Sequence, residues 1–385
     1  MLKKKTLYLT GMILLISLGG CKIFSLGWEP FWGGLSIPTM HPAFADMRTI
    51  QGALTTISQG LDPTITNPGD PWGRLMNYPK IWTSLASWLD FRQEKHCIAY
   101  NLLVLAAFYS ICGYLLWRYP SAELFLMVFS PASLLAVERG NNDLLIFVLV
   151  TLFSRFKGFK SLLPWALAMT LKIYPAVLLP LALLTKGRSS AGVFLLVAAG
   201  IIFMNLGDLN AIKNGNTANG DLAYGTTIAA TLFYRNLGAP LFYWDTVIYP
   251  AIIAVTMIIA QWSTLFERLE QLRTRDTTAV DLFYSGATIF FFTFILSSNW
   301  DYRLIYLLLL LPALSQRETN SVWSRFIQIM ILLSASFLLL VKYRYGWMVS
   351  GYAKVVIASI TGYLVLRLLL EHLVAQRRRF FPLPG

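Results

Sequence analysis

Charged side chains are scarce in this chain. They make up 13% of its 385 residues, about half the roughly 25% usual in a soluble domain. Cysteine is scarcer still. Cys21, Cys97 and Cys112 are the whole complement, too few for a disulfide framework, and they form no CxxC pair. His41, His96 and His372 lie far apart in sequence. No metal-ligand cluster can be assembled from these residues, and no cofactor motif is present, so the reading calls for neither a metal nor a cofactor.

What the chain has in quantity is apolar sequence. Hydrophobic residues make up 56%, and the mean hydropathy is +0.58. Apolar runs recur at 7–20, 98–117, 122–137, 144–153, 162–184, 191–206, 246–260, 279–296, 304–314, 326–341 and 355–370. Several reach the ~20 residues that span a bilayer as a helix. The pattern predicts an all-α polytopic membrane protein, with the lipid bilayer as its first partner.

The net charge of +13 raises the question of nucleic acid. The basic residues give another answer. Lys3–Lys5, Arg118, Arg155, Lys157, Lys160, Lys186, Arg188, Arg268, Arg273, Arg275, Arg317, Arg325 and Arg377–Arg379 fall in short loops and tails that alternate along the chain. The short loops between them carry few, chiefly Arg139, Arg303, Lys342 and Arg344. That asymmetry is the positive-inside pattern. No basic stripe is interleaved with stacking aromatics, and a nucleic-acid partner is set aside.

The start, "MLKKK…ISLGGC", has the form of a lipoprotein signal ending at Cys21. The preferred reading is a first membrane helix over about 7–26, because a chain that re-enters the membrane many times needs no lipid anchor. With the N-terminus inside, residues 27–97 form a long extracytoplasmic loop. Helices over 98–117, 122–137 and 143–154 follow. Further spans are expected over 191–206, 242–262, 279–297, 302–314, 323–341 and 350–370, with a second outer loop at 207–241 and a basic cytoplasmic tail at 371–385.

The exception is 162–184. A single span there would put "TKGR" outside and invert every basic loop downstream. The segment is therefore expected to be a broken pair of short helices that enters and leaves on one side. Its first half, 162–171, would rise about 15 Å, half of the ~30 Å hydrocarbon core. Pro164, Pro175 and Pro180 offer places to bend. Lys172 would then sit at the tip, facing outward. A lysine at membrane depth is by default a sign of function.

The first loop reads as ordered. Phe44, Met47, Ile50, Leu54 and Ile57 recur at helical spacing, and Ile81, Trp82, Leu85, Trp88 and Leu89 form a second stripe. Both are expected as interfacial amphipathic helices, joined by a turn-rich stretch, "LDPTITNPGDPWGRLMNYP". Charged positions converge on the outer side: Asp46, Arg48, Glu138, Arg139, Asp143, Lys172, Asp301 and Arg303, with Asn141 and Asn299 among them. Each has a plain reading. Arg139 and Arg303 could pair with Glu138 and Asp301 as interface anchors, and Asp143 could cap its helix as an N-terminal acid. Their convergence favours a polar site.

In order along the chain stand "FADMRTI", "GDPWGRLMNYP", "SPASLLAVERGNND", "LKIYPAVLLP" and "NWDYRLIYLLLLLP". Together, from the first helix to about residue 314, they resemble the membrane glycosyltransferases of the GT-C superfamily. The likeness is to the GT87 (DUF2029) family, related to polyprenyl-phosphomannose-dependent mannosyltransferases. The resemblance implies a GT-C-like bundle of about 10–12 transmembrane helices in a bacterial plasma membrane, with both termini cytoplasmic. It implies transfer of a hexose, mannose by family default, from a polyprenyl-phosphate donor to a hydroxyl of a glycan or glycolipid acceptor at the outer leaflet. The position matching the family's catalytic carboxylate is Asp46. The motifs also match Glu138, Arg139, Asn141, Asp143, Lys172, Tyr174, Pro175, Asn299, Asp301, Tyr302 and Arg303. No motif is matched after about residue 314.

These residue types suit that chemistry. A carboxylate can act as general base on the acceptor hydroxyl in an inverting displacement, the role assigned to Asp46. Lysine and arginine can stabilise a leaving lipid phosphate without a metal, the role assigned to Lys172 with Arg139 or Arg303. Arg48, Tyr78, Glu138, Asn141, Asp143, Tyr174, Asn299, Asp301 and Tyr302 would orient those groups, the sugar or the acceptor. A transporter or flippase of a lipid-linked saccharide would also use midplane charges and broken helices, yet has little use for so elaborate an outer loop. A non-catalytic envelope scaffold is a third reading, and the Asp46 match speaks against it.

Overall fold

The computed structural model describes residues 2–208, 222–226, 249–261, 263–296, 299–340 and 346–380. Most of the expected loop at 207–241, the first residues (242–248) of the expected helix at 242–262, and Lys342 and Arg344 lie outside the described residues. The described chain is helical almost throughout, with one pair of two-residue strands. It is an all-α membrane protein. Helices α1 (Leu2–Leu26), α5 (Glu94–Arg118), α11 (Arg188–Asn205), α14 (Thr277–Leu296) and α16 (Gly346–Phe380) contain windows long and apolar enough to cross a bilayer. A bent pair, α12 (Tyr249–Gln261) with α13 (Leu265–Arg273), would make a sixth.

Among the described residues, fewer helices are long and apolar enough to span than the ten to twelve that the resemblance implies, and several apolar runs are broken. The 122–137 run divides into α6 (Ala122–Val128) and α7 (Pro131–Arg139). Pro131 opens the second of these, and Ser130 caps it by accepting from the Ser133 N–H. The 304–314 run is largely a 3₁₀ helix, Asp301–Leu310, continued by Leu311–Leu314. The 3₁₀ segment packs against α14, whose residues are buried nearly end to end, and α6 and α7 pack against the 3₁₀ segment. By contrast α1 lies at the edge of the bundle, with Phe24 95% exposed as a side chain facing lipid would be.

Helix α8 (Asp143–Arg155) gives the bundle a ruler. Its 13 residues span about 20 Å. The end carrying Asp143 is here termed upper and the end carrying Arg155 lower. After α8 the chain makes a 3₁₀ turn at Gly158–Ser161 and rises as α9 (Leu162–Leu171) against α8. The helix ends at Lys172, whose backbone is extended (φ −147°, ψ 134°). A 3₁₀ turn, Tyr174–Leu178, and α10 (Leu179–Thr185) follow. Lys186 then donates to the Ser154 and Phe156 carbonyls, at 3.3 and 3.1 Å, at the lower end of α8. Both ends of 162–184 therefore lie at the lower end, while Lys172 meets Asp143 at the upper end.

The first loop carries a core of its own. Helix α3 (Ala45–Ser58) buries Met47, Ile50, Ala53 and Leu54 against Trp82 and Ala86 of α4 (Ile81–Trp88), with Met76, Phe91 and Cys97. The expected stripes are present, with differences at their ends. Ile57 is half exposed, and Trp88 is 80% exposed. Trp82 points inward, and its indole N–H donates to the Leu171 carbonyl at 2.8 Å. That carbonyl belongs to the last turn of α9 and has no partner within its helix. The first loop is thus docked on the tip of the 162–184 hairpin. A short helix α2 (Trp28–Gly34) packs its aromatics between α1 and Phe44.

Candidate functional site

The upper end gathers most of the sequence-predicted residues into one polar chain. Asp46 lies in the first turn of α3, where the helix dipole favours a carboxylate. One of its oxygens accepts from Arg74 Nη1 at 3.3 Å and the other from the Asn141 side-chain amide. Asn141 Oδ1 accepts from Lys172 Nζ at 3.3 Å and from the Asp143 N–H at 2.7 Å. Lys172 Nζ donates in turn to Asp143 Oδ1 at 2.6 Å, and Arg303 Nε donates to Asp143 Oδ2 at 3.1 Å. Tyr174 donates to Asp143 Oδ1 at 2.7 Å and shares a hydrogen bond with the Tyr306 hydroxyl. Arg303 Nη1 also donates to the Asn299 side chain.

The sequence explains why these groups meet. "GNND" places Gly140 in the left-handed region (φ 57°), ending α7. A Cβ there would lie 2.3 Å from the Asn101 side chain and 2.8 Å from Phe44 Cβ, so only glycine admits the close approach of α7 to the first loop. Asn141 and Asp143 follow at once and face the loop and the hairpin tip together. Asp143 is fully buried and is the junction of two cations. Buried charges persist where they are paired and hydrogen-bonded, as here.

Two cavities flank this chain. The smaller, about 220 Å³, is lined by Lys172, Tyr174, Thr293, Asn299 and Arg303 with apolar Val177, Phe292 and Leu296. The larger, about 500 Å³, holds Asp46, Thr49, Trp72, Arg74 and Arg139. Asn77, Tyr78, Trp300 and Tyr302 line both. Strand β2 (Asn299–Trp300) carries this shared edge and pairs with β1 (Ala223–Tyr224), Ala223 opposite Trp300. Lys172 Nζ lies over the Tyr78 ring, 5.4 Å from its centre, and burial pushes the Tyr78 phenol well above its ordinary pKa.

Two sequence-predicted residues stand apart from this assembly. Arg48, two positions after Asp46, is turned some 200° around the helix. It donates to the Ala43 carbonyl, Gln51 and Glu94, at 3.0, 2.9 and 2.8 Å, and so braces the first loop against α5. Asp301 faces away from Arg303. It pairs with Lys354 of α16 at 2.7 Å, and its other oxygen has no hydrogen bond. Glu138 sits beside the larger cavity, where it accepts from the Met40 N–H at 2.9 Å and the Trp28 indole at 3.4 Å, with Arg139 at 3.4 Å. The pairing of Arg139 with Glu138 is thus present, while Arg303 pairs with Asp143 instead of Asp301.

The residues that sequence reasoning missed are Arg74, Asp70, Tyr306 and Lys354. Asp70 Oδ1 accepts the Trp72 and Arg74 N–H groups, folding "DPWGR" into a tight turn. Its carboxylate also holds the Arg74 guanidinium at 2.9 Å. Burial opposes the Arg74 cation, and Asp70 and Asp46 overcome it, holding its pKa above the ordinary value. Lys354 did carry a signal, since a lysine within an apolar run is as exceptional there as at 172. Among the described residues no three of His, Cys, Asp and Glu are grouped closely enough to hold a metal ion. Comparison with protein-family models, curated proteins and solved structures gives no match to this chain.

Proposed function

We propose that the protein is a membrane glycosyltransferase of the GT-C type, similar to the GT87 family. It moves a hexose, mannose by family default, from a polyprenyl-phosphate donor to a hydroxyl of a glycan or glycolipid acceptor on the extracytoplasmic face. The observation that carries the reading is the juxtaposition of two unlike cavities. One presents two cations, Lys172 and Arg303, beside an apolar wall. The other presents the Asp46 carboxylate. Asn141 bridges the two by touching both Asp46 and Lys172.

In this mechanism the donor phosphate lies in the smaller cavity, where Lys172 and Arg303 receive its charge. The apolar Val177, Phe292 and Leu296 suit the first isoprene units. The acceptor hydroxyl approaches the anomeric carbon from the larger cavity and gives its proton to Asp46 as the new C–O bond forms. The bond from the anomeric carbon to the phosphate oxygen breaks, and the electron pair leaves with the phosphate. Attack from the face opposite the leaving group inverts the anomeric centre. Arg74 and Asn141 fix the rotamer of Asp46. Asp143 and Asn299 hold the two cations in place.

The test uses membranes bearing the protein and a polyprenyl-phosphate hexose labelled in the sugar. Label is expected in a glycan acceptor, and Asp46→Asn is expected to lower the rate by about 10²–10⁴-fold, the usual contribution of a general base. Full activity in Asp46→Asn would refute the assignment. Label that crosses the bilayer on an intact lipid-linked saccharide, with no transfer, would favour a transporter or flippase.

A further inference from the structure

The two cavities differ in charge as well as in size. The smaller has two cations, Lys172 and Arg303, against the single carboxylate of Asp143. Around the larger, both guanidiniums are already engaged. Arg74 is held by Asp70 and Asp46, and Arg139 lies against Glu138. Three carboxylates therefore stand with two guanidiniums there, and the larger cavity carries no net positive charge. Asp46 faces it as an accessible carboxylate, its side chain 14% exposed.

The walls of the larger cavity are aromatic. Trp72, Tyr78, Trp300 and Tyr302 line it. The Trp72 ring is pinned from behind, because the Arg74 guanidinium stacks on it at 4.6 Å. One face of the indole is thus occupied and the ring held still, which makes it a platform instead of a mobile side chain. Polar groups converge among these rings: the Asp46 carboxylate, Thr49 and Asn77 line the cavity. Rigid aromatic faces with a few convergent polar groups bind a ring that is apolar on its faces and hydroxylated at its edge.

From this we infer that the larger cavity is an acceptor subsite for an uncharged glycosyl ring stacked on Trp72, and that it discriminates against an acceptor bearing a phosphate on that ring. The inference rests on the transferase reading and narrows it. Discrimination comes from repulsion as well as fit. A second phosphate would face Asp46 with no uncommitted cation to receive it, while the cationic cavity next door serves the donor.

The experiment compares two defined acceptors with the full-length protein in proteoliposomes: an octyl hexoside and the same octyl hexoside 6-phosphate. The donor is a polyprenyl-phosphate hexose. The neutral hexoside is expected to be preferred by at least about tenfold in kcat/KM, given that like-charge juxtaposition costs several kcal/mol. Trp72→Ala is expected to raise KM for the octyl hexoside about tenfold with a smaller change in kcat and none in the donor KM, and Trp72→Phe to restore most of it. Equal or better use of the phosphate ester would overturn the inference and leave the transferase reading standing. So would an unchanged acceptor KM in Trp72→Ala, or hydrolysis of the donor without transfer to either hexoside. If neither hexoside nor water takes sugar from the donor, the transferase reading itself fails.

Discussion

At the scale of single residues, Asp143 does the most. It is the first residue of α8, where four backbone N–H groups lack partners within the helix and a negative charge is favoured. From that position its two oxygens take Lys172 on one side and Arg303 on the other. Each cation on its own would be costly to bury, and together they repel. Removing the shared counter-charge leaves both uncompensated. Asp143→Asn is therefore expected to destabilise the protein by about 3–5 kcal/mol, the usual consequence of breaking a buried pair from one side. A thermal unfolding curve in detergent would show a clear fall in midpoint. Adding Lys172→Met to that variant removes one of the two stranded cations and should recover part of the loss. An unchanged midpoint in Asp143→Asn would mean that water or lipid, not Asp143, neutralises the pair. Lys172→Met alone keeps Arg303 matched with Asp143, so its effect should fall on donor binding. A rise of about tenfold in donor KM, worth roughly 1.4 kcal/mol, is the expected outcome in the labelled-donor assay.

At the scale of elements, the position of Asp46 depends on how the first loop crosses itself. Helix α3 passes so close to the turn at Gly69–Asp70 that neither glycine can bear a side chain. A Cβ on Gly52 would lie 2.4 Å from the Asp70 N, and one on Gly69 would lie 2.2 Å from the Gly52 carbonyl oxygen. Both neighbours are backbone and cannot rotate away. The crossing sets Asp70, which accepts from Thr49 at 3.0 Å and holds Arg74, which reaches Asp46. Gly52→Ala should push this turn off the helix at a cost of about 1–3 kcal/mol, as overpacking does. Faster proteolysis within 60–75 and a loss of transferase activity would report it. Gly33→Ala, where the added methyl meets nothing within 4 Å, should change neither. The same region shows what the sequence could and could not tell. The stripe Met47, Ile50 and Leu54 announced α3, because burial of one face leaves a period that can be read directly. The partners of Asp46 were hidden. Arg74 reaches it through a turn shaped by one buried carboxylate, and no periodicity records where such a turn points its side chains. Arg48, two positions from Asp46 in sequence, is the neighbour the sequence suggests, and only the helix phase shows that it turns away to Glu94. Lys354 was legible in principle, by the same argument that singled out Lys172, and it explains why Asp301 faces away from Arg303.

At the scale of the whole molecule, the path of the chain fixes which ends of the bundle share a side. Lys172 and Lys186 are only one hairpin apart in sequence, yet they are held at opposite ends of α8, about 20 Å apart along its 13 residues. Lys186 is buried against Asp281 of α14 as well as the carbonyls that end α8. Arg273 reaches the same Asp281, and Arg118 pairs with Asp276 beside it. The lower end is thus tied together by basic residues from α5 and α13 and by Lys186, just past the end of α10, in keeping with the charge asymmetry that placed those loops on one side. The consequence can be measured without reference to activity. A reporter fused after Gly158 and another fused after Gly187, on either side of the hairpin, should give the same sidedness, that of both termini. One fused after Gly60, an exposed turn of the first loop, should give the opposite sidedness. The positive-inside pattern predicts the cytoplasm for the first group. A continuous span through 162–184 would instead place Gly158 and Gly187 on opposite sides. That outcome would remove Lys172 from the upper end, and with it the cationic half of the proposed site.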